Sequence, residues 1–214
     1  MSVVSWAGAR EGERALEERF AGRWDPRRAL HEELRPLLQA AADAHARAGW
    51  GPDPEGAIVV GVDRYGAAPA ASFQGQLLRA SAAPPRPSEF LASLPSTPAA
   101  TLGLCLGLGG YQATLAGEEA AGGEALAHAL DLLRLGRARR VLVAALTSEP
   151  ATGSEAPFRL GVAVCLEREA ARREPWTATG DLLQAVPAGY RGRAAPGLLA
   201  LIEQHLGPEE RRSR

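Results

Sequence analysis

The segment from Thr114 to Leu146 limits most strongly what this chain can fold into. It reads TLAGEEAAGGEALAHALDLLRLGRARRVLVAAL, in which a short apolar piece meets a corner at Gly117–Glu119. An Ala- and Leu-rich stretch follows, ends at Gly136, and leads into the apolar run Val141–Leu146. Glycine ends helices readily, and a short apolar run is typical of a buried strand. The segment therefore predicts a strand, a sharp turn, a helix and a second strand.

The predicted helix carries few polar side chains. At roughly 100° per residue, Glu124, His128 and Asp131 form one narrow polar stripe. Nearly every other position from Ala120 to Leu135 is Ala, Gly or Leu, and a helix with so wide an apolar surface has to be covered on several sides. Glu119 lies about 150° around the helix from the stripe, so we expect it to point inward at the start of the helix.

Strands and helices alternate along the rest of the chain, which predicts an α/β layered fold. Asp25 and Pro26 suit the start of a helix that continues at helical spacing to Gly49. The β-branched run Ala57–Val62 predicts a buried strand. The other predicted elements are strands at Ser2–Trp6, Tyr111–Leu115, Phe158–Leu166 and Trp176–Val186, helices over 67–80, 99–106 and 196–206, and a polar loop at Ser148–Pro157.

The composition excludes several classes of protein. A formal net charge of -1 over 214 residues gives no general attraction to nucleic acid or to an anionic membrane. No secretory signal opens the sequence and no apolar run reaches the ~18 residues of a membrane span, so we expect a cytoplasmic protein. The chain has no phosphate-binding glycine motif and no Lys, and we expect neither a cofactor nor a metal. Cys105 and Cys165 lie in the apolar runs LGLCLGL and GVAVCLE, which predicts two buried, reduced thiols.

Five stretches, taken in order, resemble one known family. They are WDPRRALHEELRPLLQAAADAHARAGW, AIVVGVDRYG, PSEFLASLPSTPAATLGLCLGLGG, the segment from Thr114 to Leu146, and FRLGVAVCLE. Together they resemble the N-terminal half of a β-ketoacyl synthase, of the thiolase-like fold. The resemblance covers residues 1–168 and implies one mixed β-sheet with packed helices, the layered half of that fold. Residues 169–214 would form a short extension with a strand, a helix and a disordered tail, so that the second half is missing or much reduced.

The departures from the family pattern bear on function. The family's nucleophilic cysteine corresponds to Glu119, and the family's active histidines lie in the half that this chain lacks. The resemblance therefore implies no condensing activity and is closest to chain-length-factor subunits, in which the cysteine is replaced. Such subunits pair with an active ketosynthase in polyketide, aryl-polyene or fatty-acid biosynthesis. The chain's own histidines match no family motif: His31, His45, His128 and His205.

The resemblance also makes a prediction about assembly. In the family, the helix after the nucleophile corner lies between two sheets, one from each half. Here its second cover would come from residues 176–206, from a second copy of the chain or from a different subunit. An uncovered Ala/Leu face is unusually large for a soluble monomer, so we expect an oligomer, either a homodimer or a heterodimer with a ketosynthase.

Other interpretations of the same residues stay open. Glu118 and Glu119 suit a helix start as ordinary first-turn acids. Alternatively, Glu119 pairs with an arginine of a partner, or serves a small acyl-thioester enzyme such as a decarboxylase. A third hypothesis is a structural or carrier-binding module. His128 is expected to be a solvated helix residue and Asp63 to cap a turn. The arginines around the end of the helix are candidates for docking an acidic acyl carrier protein: Arg134, Arg137, Arg139 and Arg140.

Overall fold

One mixed β-sheet forms the centre of the molecule. The structure is a computed structural model that describes residues 2–10, 31–79, 84, 86–117, 120–149, 158–168 and 193–202. Within these residues the sheet has five strands in the order β1-β5-β4-β2-β3. The strands are β1 (Ser2–Arg10), β2 (Ala57–Asp63), β3 (Gln112–Ala116), β4 (Arg140–Glu149) and β5 (Phe158–Glu167).

The middle of the sheet is parallel and one side of it is antiparallel. β2 pairs in parallel with both β3 and β4, whereas β5 pairs antiparallel with β4 and with β1. The chain moves from β2 to β3 in one direction and then returns past β2 to β4. Because parallel crossovers are right-handed, this reversal places the two connecting helices on opposite faces of the sheet.

Helices cover both faces of the sheet. A short 3₁₀ helix at Glu32–Leu34 precedes α1 (Arg35–Arg47). Helices α1 and α4 (Thr97–Leu106) lie on one face, while α5 (Ala121–Arg134) and α6 (Ala194–Leu201) lie on the other. Side chains along β2 alternate between the two cores: Ile58 and Val60 belong to the first, and Ala57 and Val59 to the second. The helices are α1 (Arg35–Arg47), α2 (Ala67–Leu78), α3 (Pro87–Ser93), α4 (Thr97–Leu106), α5 (Ala121–Arg134) and α6 (Ala194–Leu201).

Most predicted elements that fall within the described residues are confirmed. The helix predicted from Asp25 is described only from residue 31 onward, and the predicted strand at Trp176–Val186 lies outside the described residues. The predicted polar loop at Ser148–Pro157 is wrong at its start, because β4 continues to Glu149. Ser148 and Glu149 pair with Arg159 and Phe158 of β5 and are buried, so sheet pairing overrides their polar character.

The polar stripe expected on α5 and the cover expected on the rest of the helix are confirmed, but the exposed side is wider than the stripe, because Ala127 is exposed as well. Ala125 and Ala129 are fully buried on the face of α5 that packs on the sheet. Glu124, Asp131 and Arg134 are exposed, so one side of the helix faces water. The second cover is supplied in part by α6, which packs against α5 in the same core. Of the three sources proposed for this cover, the C-terminal residues of the chain itself contribute.

Close packing of α1 on the sheet depends on a glycine in β5. A methyl group at Gly161 would overlap the carbonyl group of Pro36, at the start of α1. We predict that Gly161→Ala lowers the free energy of unfolding by about 1–3 kcal/mol, because the helix has to move away from the strand.

Chemical denaturation would measure the effect, and Gly51→Ala is the matched control. Nothing lies within 4 Å of the position of a methyl group at Gly51. Equal stability of the two variants would contradict this account of the α1–β5 contact.

Candidate functional site

The corner that follows β3 lies at the carboxyl ends of the parallel strands. The N–H of Gly117 donates to the carbonyl of Val62 at 3.1 Å, and α5 begins at Ala121. Asp63, the last residue of β2, pairs in register with Thr147 of β4. In open α/β sheets, this end of the strands is where ligands bind when the winding reverses. Glu118 and Glu119 lie outside the described residues, so the inward orientation expected for Glu119 stays a prediction.

A chain of ion pairs occupies this end of the sheet. Arg193, just before α6, lies with its Nη1 3.3 Å from Oδ1 of Asp63 and its Nη2 3.2 Å from Oε1 of Glu149. The other carboxylate oxygen of Glu149 lies 3.0 Å from Nη1 of Arg64. One guanidinium therefore bridges the ends of β2 and β4. The planar, forked guanidinium of arginine is suited to binding two carboxylates at once.

The bridge lies largely out of water. The side chains of Asp63, Glu149 and Arg193 are 1%, 10% and 16% exposed. Arg64 is half exposed and has a left-handed backbone, with φ at 56°, at the turn after β2. A buried charge is costly unless it is paired, so Arg193 compensates two carboxylates that would otherwise destabilise the fold. The sequence interpretation of Asp63 as a turn cap did not include this pairing.

The start of α6 is fitted against the same end of the sheet. The N–H of Ala195 donates to Oγ1 of Thr147 at 3.1 Å, which satisfies one of the free N–H groups of the first turn. A methyl group at Gly122 would overlap the carbonyl group of Ala194, so only glycine lets α5 and α6 approach this closely. Residues Arg193–Ala195 therefore fill a space that has the ends of β2 and β4 on one side and the first turn of α5 on the other.

A further buried carboxylate lies on the other face of the sheet. The N–H of Gly66 donates to Oε2 of Glu33 at 3.2 Å, and Glu33 is 4% exposed. Burial, and to a lesser degree the negative charge of Glu33, raise the pKa of Tyr65 well above its ordinary value. Glu33 fixes the turn after β2, and Tyr65 stays a neutral phenol.

Neither cysteine can act as a nucleophile at this site. Cys105 lies in α4 and Cys165 in β5, and both are buried as the sequence predicted. Burial raises the pKa of each thiol to about 12; for Cys165 a hydrogen bond with Ser5 opposes the shift. The thiolate is the reactive form of cysteine. These are the only 2 cysteines of the chain.

The arginines proposed for carrier docking lie at the opposite end of the sheet. Arg140 begins β4, and the stretch of strand from there to Thr147, which lies level with the corner, spans about 20 Å. Its guanidinium lies 3.1 Å from Glu167, 4.0 Å from Asp53 and 5.5 Å from the ring centroid of Trp50. Arg140 is therefore tied into local structure. The others are exposed: Arg134, 3.6 Å from Asp131; Arg137; and Arg139, 3.7 Å from Glu167.

His128 is a half-exposed residue of α5, as predicted, but it has a partner that the sequence did not indicate. Its Nε2 lies 2.9 Å from the hydroxyl of Tyr111.

The residues that sequence reasoning missed at the corner are Thr147, Glu149 and Arg193. A carboxylate at the end of a buried strand, such as Glu149, is a sequence signal that could have indicated a site residue. No local sequence pattern connects Arg193 to Asp63, which lies 130 positions earlier.

Two features are absent from the part of the chain that the structure describes. No group of three or more His, Cys, Asp or Glu side chains there is arranged to hold a metal ion. No helix in that part of the chain is both long and apolar enough to cross a membrane.

Comparison with known proteins identifies the family. The fold is a thiolase-like half: one mixed five-stranded sheet with helices on both faces. The family model described as "Beta-ketoacyl synthase, N-terminal domain" matches residues 2–156. The chain therefore belongs to the β-ketoacyl synthase family through this N-terminal domain, in agreement with the resemblance noted in the sequence. No curated protein matches significantly.

Solved structures support the same fold. A chain of the ketosynthase ApeO in complex with its chain length factor ApeC from Xenorhabdus doucetiae is 17% identical, with a TM-score of 0.60 over 79% of each chain. The ishigamide ketosynthase/chain length factor is 22% identical, with a TM-score of 0.51, over 67% of this chain and 44% of that one. A β-ketoacyl synthase from Burkholderia phymatum is 15% identical, with a TM-score of 0.54, over 76% of this chain and 52% of that one. The chain thus spans about half of two of these relatives.

The buried thiols give a direct prediction. We expect neither Cys105 nor Cys165 of the folded protein to react with iodoacetamide at pH 8, because both pKa values are raised to about 12 by burial. Both should react once the chain is unfolded. Mass spectrometry with and without denaturant measures this, and alkylation of the folded protein within minutes would contradict it.

The same pKa values predict how stability depends on pH. The unfolded thiols ionise near a pKa of about 8.5, whereas the folded thiols stay protonated up to about pH 12. The unfolded state therefore binds fewer protons in this interval, and the stability present below pH 8.5 falls as the pH rises toward 12. Replacing Cys105 with Ala should reduce this pH dependence.

Proposed function

We propose that this chain is a non-catalytic, chain-length-factor-like subunit that pairs with an active ketosynthase in polyketide, aryl-polyene or fatty-acid biosynthesis. The observation that carries the proposal is the lack of a reactive thiol. The resemblance puts Glu119 at the family's nucleophile position, and both thiols of the chain are buried with pKa values of about 12. A condensing enzyme needs a thiolate to hold the acyl chain as a thioester.

The surface around β3 supports pairing with another subunit. β3 is an edge strand, and no other described strand pairs with its outer side. Such an edge presents unpaired N–H and C=O groups to a partner. Large apolar side chains are exposed on α4, which packs beside β3, just before β3, and on α2 and α3, which precede α4 in the chain. We call this set the apolar patch: Leu77, Leu78, Phe90, Leu91, Leu104 and Tyr111.

The members of the apolar patch are large apolar side chains that are open to water. Leu78 is 89% exposed and Leu104 66% exposed, and exposed apolar surface of this kind is suited to a protein interface. The best-covered solved relative named above contains a ketosynthase together with its chain length factor. We therefore assign the apolar patch to a ketosynthase subunit rather than to a small ligand.

The pairing can be tested by co-purifying the chain with a candidate ketosynthase. We expect a complex of one subunit of each by light scattering. Leu104→Asp should weaken it at least tenfold, or about 1.4 kcal/mol, because a charge is buried in the interface.

Leu135→Asp is the matched control for this experiment. Leu135 is 74% exposed but lies at the end of α5, outside the apolar patch, and its replacement should leave the affinity unchanged. Equal effects of the two variants would contradict the assignment. Decarboxylation of a malonyl carrier by the chain alone, lost in Glu119→Gln, would overturn the non-catalytic role.

A finer part of the proposal concerns an acidic acyl carrier protein, for which the exposed side chains of Arg134, Arg137 and Arg139 offer positive charge. We expect the double variant Arg137→Glu, Arg139→Glu to slow association with the carrier roughly tenfold at low salt, because long-range attraction is lost. Surface plasmon resonance at two salt concentrations measures this. Arg79→Glu, at an exposed arginine after α2, is the control, and equal slowing by both would contradict docking at this site.

A further inference from the structure

We propose that Arg193 fastens residues 193–202 onto the corner end of the sheet, so that these residues act as a built-in closure of the family's reaction site. We call residues 193–202 the closing segment. The proposal concerns this chain alone and does not depend on its pairing with a ketosynthase. It assigns Arg193 a positioning role, exerted through the two carboxylates that it bridges.

The first support is electrostatic. Arg193 joins the closing segment to Asp63 of β2 and to Glu149 of β4 with distances of 3.3 and 3.2 Å. Both carboxylates are buried, and an arginine is the only cation that reaches Asp63 among the ion pairs described. A ligand entering here would have to displace the guanidinium from Asp63 and Glu149 and break both ion pairs. The closing segment thus excludes a ligand from this place by occupying it and by holding it with these ion pairs.

The second support is packing. Leu198, Leu199 and Ile202 are fully buried, and Leu198 lies in contact range of Gly122 on α5. An isolated helix of 8 residues, the length of α6, has little stability of its own in water. Its position therefore depends on this burial and on the anchoring of its first turn, where Arg193 and the Thr147–Ala195 hydrogen bond act together.

Two neighbouring arginines distinguish a fastening role from a general charge effect. Arg64 shares Glu149 with Arg193 but lies after β2 and makes no described contact with the closing segment. Removing either arginine changes the net charge equally. Only removal of Arg193 should free the closing segment.

Hydrogen exchange of the full chain, followed by mass spectrometry, tests this. In Arg193→Ala, the amides of residues 197–202 should exchange at least tenfold faster than in the wild type, while those of β2 and β4 keep most of their protection. In Arg64→Ala, the closing segment should keep the protection of the wild type. Unchanged protection in Arg193→Ala, or equal loss in both variants, would overturn the proposal.

Chemical rescue sharpens the test. The space left in Arg193→Ala lies between two carboxylates, so millimolar methylguanidinium should restore protection of residues 197–202, whereas methylammonium should restore much less. Equal rescue by the two cations would overturn the bridging role. If Arg193→Ala does not fold, Arg193→Lys replaces it: a severalfold loss of protection supports the proposal, and protection equal to the wild type overturns it.

Discussion

Asp63 and Glu149 end neighbouring parallel strands, and folding removes both carboxylates from water. Burying one carboxylate without a partner costs several kcal/mol, a large part of the stability of an ordinary domain. Arg193 lies between the two and joins the start of α6 to the ends of β2 and β4. The arrangement of the second helical layer follows, because α6 then lies beside α5 and packs into the same core.

The reversal of winding at β2 gives this end of the sheet its importance. The connections through α4 and α5 leave on opposite faces, and the crevice between them lies at the strands' carboxyl ends. In this chain the closing segment fills that place, whereas the apolar surface is exposed around β3, at the sheet edge. The surface at the strand ends is therefore charged and closed, and the surface at the sheet edge is apolar and open. This difference fits the proposed pairing with a ketosynthase.

The sequence predicted the sheet and most of its helices, because their apolar runs and glycine boundaries are local signals. Val59 and Val143, for example, were predicted to be buried because they lie in unbroken apolar runs, and both are buried in the sheet. The site was less accessible to prediction. Arg193 contacts Asp63 although 130 residues separate them in the chain, and the sequence around neither residue indicates the contact. The exposed side of α5 is wider than predicted, because alanine was counted as requiring burial, whereas Ala127 is exposed at no great cost.

The pairing of β1 with β5 has a consequence for how the chain is made. Ser2 lies opposite Glu167, so the first strand finds its neighbour only after most of the chain has been synthesised. At roughly 5–20 residues per second, a ribosome needs about 10–30 s to reach that point. During this time β1, which carries the apolar side chain of Trp6, has no β5 to pair with. A strand left unpaired for this long can pair with other chains, so early aggregation is the hazard that this topology carries.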